Sequence, residues 1–421
     1  MSKKPLFFYG WVIVGISFLL SPLVYGIRNS FAVFYPYILD EFSWSRGGTA
    51  AMLSISVLVY GLIAPVAGNI ADRWKPRSLI QIGILTLALG IASCAFVQEL
   101  WHFYLLFGIV VSIGTALGGW PLIAPALSNW FHKKRGLVIG LGQAGGGLGY
   151  AYGIIAELLI SSLGWRYAYF AMAGMLIVIV LPLYRLFFYY HPERKGLTAY
   201  GIEEIVPKED PTEKVPLEEN IISKDWTLSQ TMRTYQLWML ILSICLFWGI
   251  GGYLVLAHQV KFAVDIGYTT TFAASIFGLF GLFVGAGHLC AFISDWIGRE
   301  NTITLSTILA ISSLIAMLSI SDTTQPWLLY VYAIGLGYGG GLFTSTVFAG
   351  AADLFHGKNF GSISGIILTG FGVGGAIGPW LGGYIYDVSG SYDIAFIICI
   401  ACYVLGCIAF WIAAPRKAIK T

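Results

Sequence analysis

The sequence carries a single charged side chain inside a long apolar run near its start. Arg28 lies in SPLVYGIRNSFAVFYPY, residues 21–37, where no other residue is charged. An arginine inside an apolar membrane helix is costly unless it faces a wet cavity or a partner, and such arginines mostly serve a function. Arg28 is therefore predicted to bind an anion or to act as a coupling charge. The alternatives are a structural pair with Glu157 or Asp40, or a side chain that reaches outward to the membrane surface.

Three further ionisable side chains lie within apolar runs and are candidates for carrying a coupled proton. His258 and His288 are candidates because histidine titrates near physiological pH. An interhelical hydrogen bond is the alternative for each of them. Glu157 is the third candidate, but it lies near the end of its run, and this position favours a pair with Arg166 at the membrane surface.

Eight uncharged residues are candidates to line a substrate cavity around Arg28, because they combine a polar atom with a position in an apolar run. They are Tyr25, Asn29, Tyr60, Trp120, Gln143, Tyr150, Tyr253 and Tyr338. Ordinary packing or an interfacial position is the alternative for each. As a group they predict an apolar cavity with few polar anchors, which is typical of sites for small molecules.

No catalytic, metal or cofactor site is expected. The chain lacks the GxxxxGK[ST] phosphate loop, so ATP is not expected to supply energy. Its six cysteines all fall inside apolar runs, and the pair Cys399 and Cys402 has CxxC spacing without a second pair or a His cluster. The cysteines are therefore interpreted as packing residues.

The candidate residues belong to a chain with the composition of a membrane protein. Of its 421 residues, 57% are hydrophobic and only 11% are charged, and the mean hydropathy is +0.78. Soluble chains have about 25% charged residues. Runs of about 20 apolar residues, which suffice to cross a bilayer, recur along the chain. The predicted spans are 9–36, 49–71, 78–98, 101–131, 136–162, 166–190, 235–261, 271–294, 302–320, 326–352, 361–387 and 392–414.

The first predicted span is not interpreted as a signal peptide, because it is too long, lacks a small-residue cleavage pattern and precedes eleven others. The basic residues then indicate the orientation. With the N-terminus in the cytoplasm, 20 of the 24 Lys and Arg fall on the cytoplasmic side. Arg46, Arg166 and Lys261 fall outside or at the outer edge, and the one remaining basic residue is Arg28. Since Lys and Arg accumulate in cytoplasmic loops, both termini are predicted to be cytoplasmic, in a multi-pass protein of the cell inner membrane.

The predicted spans divide into two related groups of six. Residues 191–234 form the long polar stretch between them, and segments on its two sides align at an offset of 224–226 positions. The glycines at 136, 140, 145, 147 and 149 align with those at 361, 365, 370, 372 and 374. Parallel six-helix repeats with a site at their interface are a transporter architecture. The sequence predicts an all-α membrane protein with two pseudo-symmetric six-helix bundles, 1–190 and 235–421, joined by the cytoplasmic loop 191–234.

Two glycine-rich runs, GLGQAGGGLG and GFGVGGAIGP, lie inside the fifth and eleventh predicted spans. A nucleotide-binding loop would instead follow a strand. Small residues four positions apart allow helices to pack and slide closely. The two runs are therefore interpreted as helix-packing surfaces.

Several short motifs carry a resemblance that covers the whole chain. GNIADRWKPR follows the second span and is echoed by AFISDWIGRE after the eighth. FYGWVIV, LDEFSWSRG, WFHKKRGLVIG, GWRYAYF and AHQVKFAVDIGYT stand at the ends of other spans. The first pair resembles the loop signature of the major facilitator superfamily. The finer match is to bacterial relatives of the monocarboxylate transporter and oxalate–formate antiporter families.

The resemblance implies a transporter of small organic anions, with departures at specific positions. The monocarboxylate transporters place a basic residue at the point that matches Arg28. Many relatives carry an arginine in helix 8 where this sequence has Gly287, next to His288, and eukaryotic members add an acid where it has Phe283. The oxalate–formate exchangers carry a lysine where it has Ile367. Oxalate is therefore disfavoured as a substrate.

The repeated loop signature implies a gate on the cytoplasmic side. In the superfamily such residues latch that side when the outer side is open. The candidates in this sequence are Asp72, Arg73, Arg77, Asp295 and Arg299. A plain positive-inside role explains the arginines equally well, but it does not explain the two aspartates.

The expected function is secondary transport of a small, monocarboxylate-like organic anion across the inner membrane, coupled to a proton or by exchange. The expected partners are this anion, a proton or counter-anion, and the lipid bilayer. No nucleic acid partner is expected, and the protein is expected to be a monomer. One alternative is an exporter of amphipathic or drug-like compounds, whose cavity would look similar. Another is a membrane sensor, but the central loop of about 44 residues is too short for an added soluble domain.

Overall fold

The computed structural model describes residues 8–73, 75–131, 135–201, 226–355 and 360–415. Within these ranges the chain folds into twelve long helices joined by short connections. The helices are α1 Gly10–Phe42, α2 Arg46–Ala71, α3 Pro76–Cys94, α4 Leu100–Trp130, α5 Leu137–Leu163, α6 Trp165–Phe187, α7 Tyr235–Ile266, α8 Thr270–Ile297, α9 Arg299–Leu318, α10 Pro326–Leu354, α11 Phe360–Ser389 and α12 Asp393–Ala413.

Each predicted span coincides with one of these helices. Eleven of the helices in the described ranges are long and apolar enough to cross a membrane. The twelfth, α10, has 29 residues but contains glycines at 335, 337 and 339–341. A Cβ atom on Gly337 would lie 2.6 Å from the carbonyl oxygen of Phe280 in α8. These glycines lower the mean hydropathy of α10. They allow close packing between helices, where a large apolar side chain has no room.

Several helices are irregular near their middle; α5 contains a 3-10 turn at Leu148–Tyr150 and α6 a π-helical segment at Leu176–Val180. In α1 the regular helix ends at Asn29 and resumes at Phe31. In α4 the backbone is extended at Gly119, with φ −116° and ψ −150°. In α7 the residues Cys245–Gly252 form a π-helical segment. Such irregular turns within helices often occur at functional sites, because they redirect side chains or free backbone groups.

The first six helices pack mainly on one another, as do the last six, and the two groups meet along specific helices. The contacts between the groups run along α2 with α11, α5 with α8, and the second part of α1 with α7. We use inner face for the end of the bundle at which α1 begins and α12 ends, and outer face for the opposite end.

The contact between α2 and α11 closes toward the outer face and opens toward the inner face. A Cβ atom on Gly61 would lie 2.9 Å from the Cα of Gly372. Gly68 and Gly365 lie seven residues closer to the inner face, on the same sides of their helices, and a Cβ atom on either would meet open space. The two helices therefore touch near the middle of the bundle and then diverge.

The contact between α5 and α8 has the same shape. A Cβ atom on Gly147 would lie 3.0 Å from the backbone nitrogen of Gly285, whereas a Cβ atom on Gly140, seven residues closer to the inner face, would meet open space. Both helix pairs that join the two groups thus separate toward the inner face. The bundle is closed on the outer side and open on the inner side.

The division of the chain at 190 and 234 remains a prediction. The helix α6 ends at Phe187 and α7 begins at Tyr235, but residues 202–225 of the predicted central loop lie outside the described ranges. The chain just after α6 returns to the first six helices, because the backbone nitrogen of Tyr200 donates to the carbonyl oxygen of Trp130 at 2.9 Å.

Candidate functional site

Arg28 lies in the last turn of the first part of α1, immediately before the interruption at Ser30. The Ser30 hydroxyl donates to the carbonyl oxygen of Ile27 at 2.8 Å, which stabilises the end of this helical segment. The C-terminal end of a helix favours a positive charge. At about 1.5 Å per residue, Arg28 is roughly 27 Å from the inner end of α1. It is only 4% exposed.

The guanidinium group of Arg28 is surrounded by tyrosines. Its Nη2 donates to the hydroxyl of Tyr253 on α7 at 3.2 Å. Its Cζ lies 4.5 Å from the ring centroid of Tyr60 and 6.0 Å from that of Tyr25. Aromatic faces at such distances attract a cation. Arg28 therefore joins helices from both halves of the bundle.

Arg28 retains unused hydrogen-bonding capacity. Its Nε and Nη1 are buried and have no hydrogen-bond partner, and no acidic side chain within the described ranges pairs with it. The expected alternatives of a pair with Glu157 or Asp40 are therefore wrong. A buried charge without a full set of partners is unfavourable, so the arrangement favours a ligand that supplies negative charge and acceptor atoms.

Tyr25 and Tyr60 are held in place by α4. The Tyr25 hydroxyl accepts from the backbone nitrogen of Trp120 at 2.5 Å and lies 3.2 Å from the Tyr60 hydroxyl. The Trp120 nitrogen is available for this bond because the extended backbone at Gly119 interrupts the helical ladder. A Cβ atom on Gly119 would lie 2.6 Å from the Tyr25 hydroxyl oxygen. Glycine is therefore needed at this position for the contact.

Two further candidates lie beside this group. Tyr150 is close enough to Arg28 and Tyr253 to interact with both electrostatically, and its ring contacts that of Phe280 at 5.3 Å. The amide nitrogen of Asn29 would be 3.4 Å from a Cβ atom on Gly149. The structure thus brings together seven of the predicted residues, namely Arg28, Tyr25, Asn29, Tyr60, Trp120, Tyr150 and Tyr253, which we call the Arg28 cluster.

The other two predicted cavity residues lie apart from the Arg28 cluster. Gln143 is half-buried and shares a face of α5 with Gly140 and Gly146, where a Cβ atom would meet open space. It therefore faces the gap that opens toward the inner side. The backbone of Tyr338 lies against Gly287 of α8, because a Cβ atom on Gly287 would be 2.3 Å from its carbonyl oxygen.

The two histidines have hydrogen-bond partners. His258 is fully buried, and its Nε2 lies 2.8 Å from the carbonyl oxygen of Pro379. Its Nδ1 lies 3.2 Å from the Tyr392 hydroxyl. A neutral ring that donates from Nε2 and accepts at Nδ1 satisfies both contacts. Nδ1 of His288 lies 3.0 Å from the Ser345 hydroxyl on α10. Both arrangements fit the interhelical alternative, and proton coupling by either residue stays a prediction.

Glu157 connects three helices near the outer face. It is 2% exposed and accepts from the hydroxyl of Tyr37 on α1 at 3.0 Å and from that of Thr271 on α8 at 3.3 Å. The expected pair with Arg166 is wrong, because Arg166 binds Glu41 instead. The end of α1 turns Glu41 toward α6, and the sequence does not indicate this rotation.

Arg46 forms the centre of a contact that joins the two halves at the outer face, which we call the outer latch. Its Nη1 lies 2.5 Å from Oδ2 of Asp265 and 2.9 Å from the hydroxyl of Tyr392. Its Cζ lies 3.5 Å from the ring centroid of Tyr386. The backbone nitrogens of Arg46 and Gly47 donate to the Asp387 carboxylate at 2.9 and 2.8 Å. A carboxylate at the beginning of a helix is favourable.

Lys261 extends the outer latch, at 3.1 Å from Asp265 and 3.8 Å from Asp40. Burial raises the pKa of the Tyr392 phenol above its usual range, although Arg46 opposes this effect. The phenol therefore keeps its proton and can donate to His258 while it accepts from Arg46. The sequence did not predict the latch as a unit. Its charged side chains lie beside predicted loops, and ordinary solvated charges occupy the same positions.

The predicted gate residues lie at the inner face. Arg299 binds Asp295 at 2.6 Å and Asp353 at 2.9 Å, so these three residues form one cluster within the last six helices. The guanidinium of Arg77 lies over the ring of Tyr189 at 5.0 Å. Asp72 and Arg73 belong to a helix, but their side chains lie outside the described part of the structure.

Twelve long helices in two groups, with a buried polar cluster between the groups, define a helical membrane protein. The family model of the Major Facilitator Superfamily matches residues 14–349 and 307–421, and the chain belongs to this superfamily. It is 23% identical to human monocarboxylate transporter 11 over 410 residues, covering 93% of this chain and 80% of that one. It is also 23% identical to rat monocarboxylate transporter 13 over 400 residues, covering 93% and 85%.

A solved structure has the same fold. It is described as a bacterial homologue of the human lysosomal transporter Spinster in an inward-facing and unoccupied conformation. The TM-score is 0.71 at 17% identity, and the match covers 100% of this chain and 99% of that chain. At this identity the likeness shows the fold alone.

Proposed function

We propose that this protein is a secondary transporter that moves a small, monocarboxylate-like organic anion across the cell inner membrane by alternating access. The anion is bound in the Arg28 cluster and transported with a proton or in exchange for a second anion. The similarity to proteins named monocarboxylate transporters supports this class of substrate. Transport by a monomer with both termini in the cytoplasm belongs to the same proposal.

The observation that carries the proposal is the incomplete coordination of Arg28. Two of its three guanidinium nitrogens are buried without a partner, and its third nitrogen is bound by a hydroxyl rather than a carboxylate. A carboxylate can accept two hydrogen bonds from one guanidinium group. The surrounding rings of Tyr25 and Tyr60 leave room for few additional polar contacts, which favours a substrate with one anionic group and a small apolar body.

The position of the Arg28 cluster suits alternating access. Tyr253 belongs to α7 and Arg28 to α1, so an anion bound there touches both halves of the bundle. An anion that bridges the halves binds differently in the two states and thereby shifts the equilibrium between them. The open inner side gives this state a route to the cytoplasm in the proposed orientation.

The proposal is tested by anion uptake into proteoliposomes that contain Arg28→Gln. Glutamine keeps much of the size and removes the charge. Hydrogen bonds to a charged group contribute about 1.5–3 kcal/mol, so we expect roughly ten- to hundredfold weaker binding and loss of uptake. Arg28→Lys keeps the charge without the planar grip and should retain partial activity. Arg166→Gln, which removes a charge at the outer face, is the matched control and should transport normally.

Two results would contradict the proposal. Uptake of organic anions by Arg28→Gln at the wild-type rate would favour the alternative function, the export of drug-like compounds. A lower melting temperature with unchanged anion binding would show that Arg28 has a structural role.

A further inference from the structure

A small basic cavity at the inner face lies between the beginning of α3 and the chain that follows α6. Its lining includes Lys75, Arg77, Ser78, Tyr189, His191 and Arg194. The cavity has a volume of about 70 Å³. Drug-sized ligands occupy pockets of about 300–1,000 Å³. The cavity therefore fits a single small charged group, and it is far from the Arg28 cluster in the middle of the bundle.

The charge of this cavity is positive. Lys75, Arg77 and Arg194 line it, and Lys195 stands beside it with its Nζ 4.6 Å from the ring centroid of Tyr189. Glu193 is the acidic side chain near these residues in the described structure. It lies 4.0 Å from His191 and is 76% exposed. Positive charges therefore outnumber negative ones, and the cavity favours an anion.

Arg77 has a donor that is ready for such an anion. Its guanidinium lies over the ring of Tyr189 at 5.0 Å, which leaves its edge free for hydrogen bonds. Its Nε is buried, and within the described structure it has no hydrogen-bond partner. A buried donor without a partner is unfavourable. An oxygen atom of a bound anion would remove this cost.

The beginning of α3 adds a second source of positive potential. Lys75 is extended and provides no side-chain cap, and Pro76 is the first residue of a helix of 19 residues. Pro76 has no N–H, and the N–H groups of Ser78 and Leu79 donate to the carbonyl oxygen of Lys75 at 3.0 and 3.1 Å. The attraction for phosphate at this end of α3 therefore comes from the positive end of the helix dipole. Arg77 and Ser78 of the first turn line the cavity. Phosphate, with several acceptor oxygens, is the anion that this combination fits best.

An exposed apolar strip continues from the cavity toward the middle of the membrane. Ser78 shares one face of α3 with Ile82, Leu85 and Leu89, which are 42%, 41% and 66% exposed. At about 1.5 Å per residue this strip is roughly 16 Å long, about half of the roughly 30 Å hydrocarbon core. That length matches one leaflet. On α6, which packs against α3, Leu186 and Phe187 are also exposed.

We propose that this cavity binds the phosphate group of an anionic phospholipid, whose acyl chains lie along the exposed strip of α3 and against the end of α6. The basic side chains recognise the phosphate, which a soluble phosphate ion also carries. The apolar strip of one-leaflet length favours the lipid as its source. The site depends on neither the substrate nor the Arg28 cluster.

The full-length protein in detergent tests the proposal through its melting temperature in the presence of phosphatidylglycerol, phosphatidylcholine or inorganic phosphate. Phosphatidylglycerol should raise the melting temperature of the wild type, and the other two should raise it much less. In Arg77→Gln/Arg194→Gln this rise should be at least halved. Lys75→Gln/Arg194→Gln should show the same loss with the gate candidate Arg77 intact. Native mass spectrometry should find less phosphatidylglycerol retained by both variants.

The control is Arg185→Gln/Arg233→Gln, which removes the same charge from exposed positions at the inner face outside the cavity lining. It should keep the full response to phosphatidylglycerol. An unchanged response in both cavity variants, or an equal loss in the control, would overturn the site. An equal rise with inorganic phosphate would overturn the lipid as its ligand. None of these outcomes depends on transport, so failure of the lipid site and failure of the proposed function are separate results.

Discussion

Arg28 and Tyr253 are joined by a hydrogen bond across the centre of the bundle, and they lie 225 positions apart in the chain. The same offset relates the two repeated halves of the sequence, so the two residues occupy equivalent places in α1 and α7. The repeat therefore places a cation on one side of the pseudo-symmetry axis and a hydroxyl on the other. In the proposed function, a substrate bound between them would contact two chemically different surfaces within a symmetric arrangement of helices.

The packing of the two halves follows the same symmetry. Gly61 contacts Gly372, and Gly285 contacts Gly147. Gly285 follows Gly61 by 224 positions, and Gly372 follows Gly147 by 225. The two contacts are therefore equivalent under the repeat of the two halves. In the proposed alternating-access cycle, these two glycine contacts near the middle of the bundle are the points about which the halves would rock.

The first prediction concerns the hydroxyl that orients Arg28. Tyr253→Phe removes the acceptor of Nη2 and leaves the ring in place, so the guanidinium loses the hydrogen bond that positions it. Since a hydrogen bond to a charged group contributes about 1.5–3 kcal/mol, we expect about tenfold or greater weakening of anion binding. Isothermal titration calorimetry with the purified protein measures it.

Tyr403→Phe is the matched control for Tyr253→Phe. Tyr403 is fully buried in α12, and its hydroxyl has no hydrogen-bond partner in the described structure. Its removal should leave both binding and the melting temperature close to those of the wild type. Equal affinities for Tyr253→Phe and Tyr403→Phe would show that Tyr253 does not position Arg28.

The sequence predicted the helices and the centre of the candidate site for an identifiable physical reason. A long apolar run is visible without any tertiary information, and a charge inside such a run is an anomaly, which is why Arg28 stood out. Tyr25, Tyr60 and Tyr253 were candidates together with Tyr338. Tyrosines in membrane helices are common, and only the rotation of each helix decides which of them meet.

The outer latch could not be predicted in the same way. Arg46 and Asp265 are 219 positions apart, and each stands beside a predicted loop, where a charge costs little. The same limit applies to Arg166, whose partner is Glu41 and not Glu157. Partner choice at helix ends depends on the direction in which the chain leaves the helix, and hydropathy carries no information on that direction.

The second prediction concerns this latch. Arg46→Gln removes the ion pair with Asp265 and the contact with the ring of Tyr386, and leaves the backbone bonds to Asp387. Loss of charge-assisted hydrogen bonds worth about 1.5–3 kcal/mol should shift the population toward an outward-open state by about tenfold or more. Spin labels at Gln98→Cys and Ser321→Cys measure this opening as the distance between the two labels. Both positions are exposed at the outer face, in different halves.

We expect the distance distribution between these labels to broaden toward longer values in Arg46→Gln. Arg166→Gln is the control, because it removes an arginine from the same face whose partner Glu41 belongs to the same half. Its distribution should match that of the wild type. The latch would lose its assigned role if both variants gave the wild-type distribution.

The third prediction concerns orientation, which follows from the uneven distribution of basic residues. Green fluorescent protein fluoresces in the cytoplasm, whereas alkaline phosphatase is active only outside it. Green fluorescent protein fused after Thr421, or inserted within residues 191–234, should therefore fluoresce. Alkaline phosphatase inserted between Phe42 and Arg46 should be active. Phosphatase activity from the central insertion would reverse the proposed orientation.

The fourth prediction concerns the glycines that face open space at the inner side. Gly365 is seven residues from Gly372 on the same side of α11, and a Cβ atom on it meets nothing within 4 Å. If the halves rock about the central glycine contacts, α11 approaches α2 near Gly365 when the inner side closes. Gly365→Leu should therefore fold normally in the present state and obstruct the closed one. Overpacked contacts cost about 1–3 kcal/mol, which lowers the closed population by roughly five- to hundredfold.

Transport by Gly365→Leu in proteoliposomes should therefore be slowed by about the same factor, with anion binding and melting temperature close to the wild type. Gly174→Leu is the control, since Gly174 on α6 also faces open space but lies away from the helices that join the halves. It should transport normally. Gly372→Leu should instead lower the melting temperature, because its Cβ atom would lie 3.1 Å from the Cα of Gly61 already in this state. Wild-type transport by Gly365→Leu would mean that α2 and α11 do not approach each other at this level during the cycle.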